Sequence, residues 1–432
     1  MQSETMQQTE RVVITGLGVC APNGVGLANF EAALRAGKSG LAHLPELADL
    51  QFRCQVGGVP PIPESLLKAK LTALEQKRLT AHGVLYGLLA ALEAWENAGL
   101  ALPAGDAPPD WDTGTIFGSG LSGVQTLREA IYKTDERRVK RLGGAVVEQT
   151  MPSGISALLS GRLALGNWVS SNASACSTGT EAIIMAAEHI RRGQAQRMLA
   201  GGCDADGPHV WGGFDAMRVL NTGHNDNPRA ASRPLAADAA GFVPGSGAGA
   251  LLLESLSSAQ KRQAPILGEI LGGAVNSGGQ RGNGSMTAPH SEGVQRCIKA
   301  AVAGAGIEPH QIGLIAGHLT STMGDVREVH NWAEALNRRG KDFPRINALK
   351  SMTGHCLSAA GAIETVGAVL QMANNFIHPS LNADALHPQI AELIDADCVP
   401  REHIPEGPSI IAKSSFGFGD VNACLILKKW NP

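Results

Sequence analysis

Residues 168–190, WVSSNASACSTGTEAIIMAAEHI, determine how this chain is interpreted. Residues 168–173 are interpreted as a buried strand, and residues 180–190 place isoleucine and alanine side chains on one face of a helix. Gly193 is expected to end that helix. Cys176 stands between the two elements, at the N-terminus of the predicted helix, where the positive end of the helix dipole favours the thiolate form. The stretch therefore predicts a strand, a turn carrying a cysteine, and a helix.

The same alternation of strands and helices extends over the rest of the chain. A first series begins with the run RVVITGLGVC at 11–20 and continues through TGTIFG, RMLAGG and GAGALLLE. A second series begins with PILGEILGGAVN and ends with NACLILK at 422–428. Such compact apolar runs favour an α/β fold with helices on both faces of the sheet. We predict a mobile N-terminal tail at 1–10, an N-terminal half at 11–260 that carries the cysteine, and a C-terminal half at 261–432.

The composition limits the classes of function. The chain has 432 residues, of which 44% are apolar, and a formal net charge of −3. Because no lysine- and arginine-rich block stands out, nucleic acid is not an expected partner. No apolar stretch approaches the roughly 18 residues of a membrane span, and the start of the chain lacks a signal-peptide pattern. The eight cysteines occur without CxxC pairs, so we expect no disulfide framework, no metal site and a cytoplasmic location.

Two histidine segments change the interpretation of Cys176. A cysteine beside small residues is often only a small buried hydrophobic side chain. His318 follows a predicted strand in AGHLTSTMGD, and His355 ends the run NALKSMTGH before a helix of small residues. A single histidine in such a place is more often a structural hydrogen-bonding group. Two of them together with a cysteine favour an activated-thiol site.

Further motifs occur in order along the chain. They are RVVITGLGV, MPSG at 151–154, AGGCDA at 200–205, GGFDAMRVL at 212–220, SRPLAADAAGFVPGSGAG at 232–249 and SSFGFGDVN at 414–422. With the cysteine and histidine segments, this order resembles the elongating β-ketoacyl-acyl carrier protein synthases of the thiolase superfamily. The resemblance implies a five-layered αβαβα fold of two thiolase-like halves. It also implies a homodimer, with a heterodimer containing a related subunit as the alternative.

The resemblance implies roles for individual residues. The family's nucleophile falls on Cys176 and its two catalytic histidines on His318 and His355. Its lysine falls on Lys350 and its glutamate on Glu364, where they would order the hydrogen bonds of the imidazoles. A purely structural ion pair is the alternative for these two. In the same superfamily, initiating synthases have a Cys-His-Asn set of catalytic residues, and degradative thiolases use a second cysteine. The two histidines of this chain therefore indicate an elongating enzyme.

The segment around Phe418 is assigned in the same way. The backbone N–H groups of Cys176 and Phe418 are expected to form an oxyanion hole, and Phe418 matches the family's gating phenylalanine. Glycines on both sides of Phe418 would let the backbone approach a thioester oxygen and let the ring swing aside. The resemblance also assigns substrate binding to Thr320 and Thr322.

The reaction implied by the resemblance is an acyl transfer followed by a condensation. An acyl group would pass from an acyl carrier protein to Cys176, and a malonyl thioester would then lose carbon dioxide and attack it. The product would be a β-ketoacyl thioester that is two carbons longer, as in fatty-acid biosynthesis. No cofactor is implied, because the phosphopantetheine arm that delivers the thioester belongs to the substrate.

Four positions depart from the family pattern. Ser246 replaces a glutamate, Leu319 a glycine, Ser285 a histidine and Asp420 a glycine. These changes leave two alternatives open beside fatty-acid elongation. One is a synthase of a specialised polyketide, polyene or modified-lipid pathway, working with a synthase-like partner subunit. The other is a non-catalytic partner that uses the fold for dimerisation or carrier docking.

Overall fold

The computed structural model describes residues 10–431. The predicted tail at 1–10 lies outside this range except for its last residue. The strands within the range are β1 Val12–Ala21, β2 Gly24–Val25, β3 Leu41–His43, β4 Val56–Gly58, β5 Thr113–Ser119, β6 Val169–Ser170, β7 Arg197–Asp204, β8 Gly247–Ser255, β9 Gly268–Ser277, β10 Leu314–Ala316, β11 Arg345–Asn347, β12 Ile410–Gly417 and β13 Val421–Lys428.

The helices vary from one turn to four turns in length. They are α1 Leu27–Arg35, α2 Pro45–Asp49, α3 Glu64–Lys70, α4 Ala73–Arg78, α5 His82–Asn97, α6 Val124–Asp135, α7 Val146–Thr150, α8 Gly154–Leu163, α9 Thr178–Arg191, α10 Pro208–Ala216, α11 Leu256–Lys261, α12 Ser291–Gly304, α13 Gly324–Leu336, α14 Lys350–Thr353, α15 Ala360–Ala373 and α16 Pro388–Ala391. None of the helices described within 10–431 is long and apolar enough to cross a membrane.

Two half-sheets are joined edge to edge. The first has the order β6-β5-β7-β8-β1 and the second the order β9-β13-β12-β10-β11. Antiparallel pairing of β1 with β9 joins them through the pairs Val12–Ile270, Val13–Glu269 and Ile14–Gly268. Each half mixes parallel and antiparallel pairs, since β5 runs parallel to β7 whereas β7 runs antiparallel to β8.

The helices complete a layered arrangement. Helices α9 and α15 lie between the two halves, since both pack against each other and against strands of each half-sheet. All but one of the residues of α15 are buried. Helix α5 covers the outer face of the first half-sheet, and α12 and α13 cover that of the second. The order helix, sheet, helix, sheet, helix confirms the predicted αβαβα fold.

The glycines that interrupt the first strand have a packing role. A Cβ atom on Gly16 would lie 2.0 Å from the carbonyl oxygen of Ala94, and one on Gly18 would lie 1.9 Å from that of Ala90. Both carbonyls belong to α5. The glycines are therefore required for α5 to lie directly on β1.

One predicted strand is shorter than expected. The buried strand predicted at 168–173 has regular pairing only at Val169–Ser170. Beyond this point the chain leaves the sheet and turns toward α9, which begins at Thr178. The residues after β6 are thus used to place Cys176 and not to extend the sheet.

Candidate active site

Cys176 lies on the turn between β6 and α9. Ala175 before it has a φ of 48°, in the left-handed region that non-glycine residues rarely adopt. The hydroxyl of Ser177 lies 3.1 Å from the carbonyl oxygens of both Ser415 and Val421. These contacts tie the turn to the ends of β12 and β13. The Cys176 side chain is thereby held in a nearly enclosed position, with only 8% exposure.

Both sequence-predicted histidines lie at this thiol, and one of them contacts it. His318 follows β10, and His355 follows α14 after Gly354, whose φ is 66°. Nε2 of His355 lies 3.0 Å from Sγ of Cys176. The rings of His318 and His355 meet edge to face, with their centroids 5.3 Å apart. The structure therefore brings one histidine into hydrogen-bonding contact with the thiol and places the other beside it.

Lys350 and Glu364 lie directly behind the histidines. The Lys350 ammonium pairs with Oε1 of Glu364 and donates to the carbonyl oxygen of His318. It also lies 3.4 Å from Nδ1 of the His318 ring. An ammonium group donates hydrogen bonds and cannot accept them. Nδ1 of His318 is therefore the acceptor, which places the proton of the neutral ring on Nε2.

A second buried lysine was missed by the sequence analysis. Lys413 on β12 is fully buried, and its Nζ lies 2.8 Å from Oε2 of Glu364. The signal in the sequence was a lysine inside the apolar run that forms β12, in IIAKSSFG. Glu364 is thus flanked by two lysines rather than one.

The protonation states differ from those expected from the helix dipole. Burial raises the pKa of the Cys176 thiol to about 11, although the charge of Lys350 and a hydrogen bond from the backbone of Phe418 oppose the rise. The prediction that the helix N-terminus favours the thiolate is therefore wrong for the resting site, because desolvation outweighs it. Burial, and next the charge of Lys350, hold the pKa values of His318 and His355 well below the usual range. The site at neutral pH combines a thiol with two uncharged imidazoles.

These pKa shifts give a measurable pH dependence. We expect the rate at which iodoacetamide alkylates Cys176 to keep rising up to about pH 10, because the reactive thiolate forms only at high pH. The rate for an ordinary thiol, with a pKa of about 8.5, would already level off in this range. Intact-protein mass spectrometry at a series of pH values measures the rate, with glutathione as the reference thiol. A plateau that begins near neutral pH would contradict the raised pKa of Cys176.

The turn that carries Phe418 lies close to the backbone of Cys176. A Cβ atom on Gly417 would lie 3.1 Å from the backbone nitrogen of Cys176, and Gly419 has a φ of 86°. Only glycine allows both features at low cost. The Phe418 ring lies next to Phe214, with the ring centroids 6.1 Å apart. The assignment of an oxyanion hole and a gate to this turn stays a prediction, which the close approach of the backbone supports.

Asp420 ties this turn to the segment 278–290. Its carboxylate accepts hydrogen bonds from the backbone N–H groups of Gln280 at 2.9 Å and His290 at 2.8 Å. The N–H of Gly419 donates to the carbonyl oxygen of Met286 at 2.8 Å. Asp420 is itself buried, with a φ of 61°. This departure from the family pattern therefore stabilises the turn next to Phe418.

The other departures lie in different surroundings. The Leu319 side chain is fully buried in the hydrophobic cluster that contains Val329 and Trp332, so its bulk is directed into the core. The hydroxyl of buried Ser246 donates to the carbonyl oxygen of Gly58 at 3.1 Å. The hydroxyl of Ser285 accepts hydrogen bonds from two backbone N–H groups within its own turn. These three residues make local structural contacts.

A cavity of about 300 Å³ opens onto the thiol. Its walls are mainly apolar and include the rings of Phe214, Phe242 and Phe416. Thr320 and Thr322 also line it, with their hydroxyl oxygens 3.0 Å apart. The cavity therefore offers apolar walls for a hydrocarbon chain and two hydroxyl groups for a polar segment of a ligand.

The site has ligand atoms for a metal but an unfavourable charge environment. Atoms of Cys176, His318 and His355 all lie within 4.8 Å of one another. Lys350 and Lys413 place two ammonium groups behind them, and Lys350 exerts a direct electrostatic effect on Cys176. Positive charge of this kind disfavours a divalent cation. The absence of a cofactor stays a prediction from the sequence.

Two family models match the chain. The model of the β-ketoacyl synthase N-terminal domain matches residues 9–259, and that of the β-ketoacyl synthase C-terminal domain matches residues 267–384. These ranges resemble the predicted halves at 11–260 and 261–432, whose boundary stays a prediction.

Curated relatives match over nearly the full length. The chloroplastic 3-oxoacyl-acyl-carrier-protein synthase I of Arabidopsis thaliana is 34% identical over 98% of this chain and 87% of its own length. The 3-oxoacyl-acyl-carrier-protein synthase 1 of Escherichia coli strain K12 is 35% identical over 97% of this chain and 99% of its own length.

Solved structures share the fold. One contains a type II polyketide synthase acyl carrier protein in complex with its ketosynthase bound to the hexaketide; its TM-score is 0.85 at 26% identity, covering 98% of this chain and 100% of the other. Another is the ishigamide ketosynthase/chain length factor, with the same TM-score, identity and coverage.

Proposed function

Because this chain belongs to the β-ketoacyl synthase family, we propose that it is an acyltransferase that extends acyl thioesters by two carbons through decarboxylative condensation with malonyl-acyl carrier protein. The observation that carries the proposal is the contact between His355 and Cys176 at 3.0 Å, with His318 beside it at the end of an apolar cavity. An acyl chain on the sulfur and an enolate between the imidazoles fit this arrangement.

The first half-reaction transfers the acyl group to the enzyme. The thiol of Cys176 needs a base at neutral pH because burial raises its pKa to about 11. His355 is in contact with the sulfur and takes the proton as the sulfur attacks the carrier thioester. The backbone N–H groups of Cys176 and Phe418 would hold the oxyanion. When the carbon–sulfur bond to pantetheine breaks, His355 returns the proton to the departing thiolate.

The second half-reaction forms the carbon–carbon bond. The carboxylate of the malonyl thioester leaves as carbon dioxide, and the electron pair of the broken bond becomes an enolate. The neutral imidazole of His318, with its proton on Nε2, donates an N–H bond to the enolate oxygen. His355, whose Nε2 has returned its proton to pantetheine, becomes the second donor after its proton exchanges through solvent from Nδ1 to Nε2. The enolate carbon attacks the acyl carbonyl, and the sulfur of Cys176 leaves as a thiolate that takes a proton from solvent. Thr320 and Thr322 are proposed to bind the pantetheine amides along the cavity.

A product assay tests this function. We expect purified protein, malonyl-carrier protein and acyl-carrier proteins of several chain lengths to yield β-ketoacyl thioesters two carbons longer, detected by mass spectrometry. A preference for saturated medium or long chains favours fatty-acid biosynthesis. Turnover that requires an added synthase-like subunit favours the specialised polyketide or lipid alternative. Absence of product under all these conditions would leave only the non-catalytic alternative, which the assembled cysteine and histidines argue against.

We also propose that the protein assembles as a dimer through α6 and β6. Strand β6 has β5 as its only partner among residues 10–431, so it presents a free sheet edge. Leu127 and Ile131, one helical turn apart on α6, are 46% and 51% exposed. Exposed apolar side chains and an unpaired edge are typical of an interface. A homodimer and a heterodimer with a related subunit are both compatible with this surface.

The cytoplasmic location stays a prediction from the sequence.

The double variant Leu127→Asp, Ile131→Asp tests the interface. We expect its dimer dissociation constant to rise by at least about 100-fold, because carboxylates would have to be desolvated at the contact. Sedimentation velocity measures the change. Leu50→Asp is the matched control, since Leu50 is 52% exposed on a different part of the chain, after α2. An unchanged dimer in the double variant would place the interface elsewhere.

A further inference from the structure

Lys413 is a fully buried lysine beside the active site that the proposed chemistry does not use directly. It lies on β12 with its Nζ 2.8 Å from Oε2 of Glu364 and 3.1 Å from Oγ of Ser415. It also donates to the carbonyl oxygen of Ser414. Burying an ammonium group is costly unless it is paired and hydrogen-bonded. One ion pair and two hydrogen bonds therefore offset the cost of burying the Lys413 ammonium group.

The position of Lys413 completes a line of contacts that ends at a histidine. Lys413 holds Oε2 of Glu364, and Lys350 holds Oε1. Lys350 in turn contacts both the carbonyl oxygen and Nδ1 of His318. Because each carboxylate oxygen faces an ammonium group, a rotation of Glu364 away from Lys350 would also separate Oε2 from the Lys413 ammonium. The orientation of the Lys350 ammonium toward His318 thus depends on the far side of Glu364.

Other buried groups face Lys413 as well. They are Glu328 on α13, Cys424 on β13, Lys350 on α14 and the rings of His318 and His355. The Glu328 carboxylate is occupied by the N–H groups of His318 and Leu319, at 2.7 and 2.8 Å, and by the hydroxyl of Ser414 at 2.9 Å. Glu364 is consequently the carboxylate that pairs with Lys413. The positive charge of Lys413 also disfavours protonation of both histidines.

We propose that Lys413 is a positioning residue, which fixes Glu364 so that Lys350 keeps His318 in its neutral form with the proton on Nε2. In that form His318 presents an N–H donor toward the cavity, as the proposed condensation requires. Lys413 does not touch the cavity itself, since it is absent from the residues that line it. The inference rests on the proposed function only for its consequence in turnover, because the tautomer of His318 is a property of the protein alone.

The first test measures the histidine directly. Protein labelled with ¹⁵N-histidine gives long-range nitrogen–proton spectra that distinguish the Nε2–H from the Nδ1–H tautomer, and the His318→Asn variant assigns the signal. We expect the Nε2–H form in the wild-type protein down to about pH 6. In Lys413→Met, which keeps the length of the side chain without its charge, we expect a mixture of tautomers and protonation at a pH at least about one unit higher. Identical spectra and titrations in both proteins would overturn the proposal, whether or not the protein turns over.

The second test separates positioning from a merely structural role. We expect Lys413→Met to lower kcat for condensation about 10- to 100-fold and to move the acidic limb of the pH profile upward, while single-turnover acylation of Cys176 changes less than about threefold. In a Glu364→Gln background the same substitution should have a much smaller effect, because no carboxylate remains to be held. Equal losses in acylation and condensation without a shift of the acidic limb would indicate a structural role only.

A milder variant keeps the test informative if Lys413→Met does not fold. Ser415→Ala removes one acceptor of Lys413 and leaves its charge in place. We expect a smaller upward shift of the acidic limb in the same direction. No change in the His318 spectrum of this variant, in a protein that is otherwise folded, would contradict the proposed line of contacts. A wild-type protein that yields no product but shows the Nε2–H form would refute the proposed function and leave the role of Lys413 intact.

Discussion

Replacing Cys176 with alanine is expected to lower β-ketoacyl product formation by at least about 10⁴-fold, because no other side chain at the site can carry the acyl group. The other seven cysteines are buried and free within residues 10–431, and none of them lines the active-site cavity. The histidines and lysines remain in place in this variant. Decarboxylation of the malonyl thioester should therefore persist at a rate within about tenfold of the wild type.

Two measurements are needed to check this result. Mass spectrometry of the thioester products follows condensation, and release of labelled carbon dioxide follows decarboxylation. Cys398→Ala is the matched control, because Cys398 is buried with its Sγ 3.4 Å from the carbonyl oxygen of Phe343, outside the cavity. We expect it to cost about 1 kcal/mol of stability and to keep its activity. Persistent condensation in Cys176→Ala would exclude this residue as the nucleophile.

The two histidines are expected to differ in which half-reaction they support. His355 contacts the sulfur at 3.0 Å, whereas His318 is held from behind by Lys350 and has no hydrogen bond to the thiol. We therefore expect His355→Ala to slow both acylation and condensation by about 10²- to 10⁴-fold. His318→Ala should slow condensation by a similar factor and leave acylation within about fivefold of the wild type.

Rapid-quench measurements of acyl transfer, run separately from multiple-turnover assays, distinguish these outcomes. Thermal unfolding of each variant provides the control for stability. His378→Ala is a further control, because His378 is a buried histidine whose Nδ1–H donates to the carbonyl oxygen of Pro379 at 2.9 Å. Equal losses of acylation in both active-site variants would show that the contact between His355 and Cys176 is not what activates the thiol.

The sequence was most informative where function depends on short local patterns. The helix after Cys176 extends over Thr178–Arg191, close to the predicted 180–190 with an end at Gly193. His318 and His355 were expected at the ends of strand and loop segments, and they meet at one thiol because β10 and α14 both end there. Local periodicity and turn chemistry are enough for predictions of this kind.

Other features depend on contacts between distant segments. Helix α5 and strand β12 were not identified from the sequence. Lys413 was missed together with β12, the strand that carries it. The pairing of Lys413 with Glu364 joins residues on separate elements, and no spacing in the sequence indicates it. The raised pKa of Cys176 has the same origin, since a helix N-terminus is visible in the sequence whereas the depth of burial is not.

The central claim is that Cys176 carries the acyl group during the reaction. The most direct measurement is to incubate the protein with an acyl-carrier protein in the absence of malonyl substrate, digest it and locate the acyl group by mass spectrometry. The account predicts one acyl group per chain, on the peptide that contains Cys176, and its disappearance when malonyl-carrier protein is added. An acyl group on another of the eight cysteines, or product formation without any acylated protein, would contradict it.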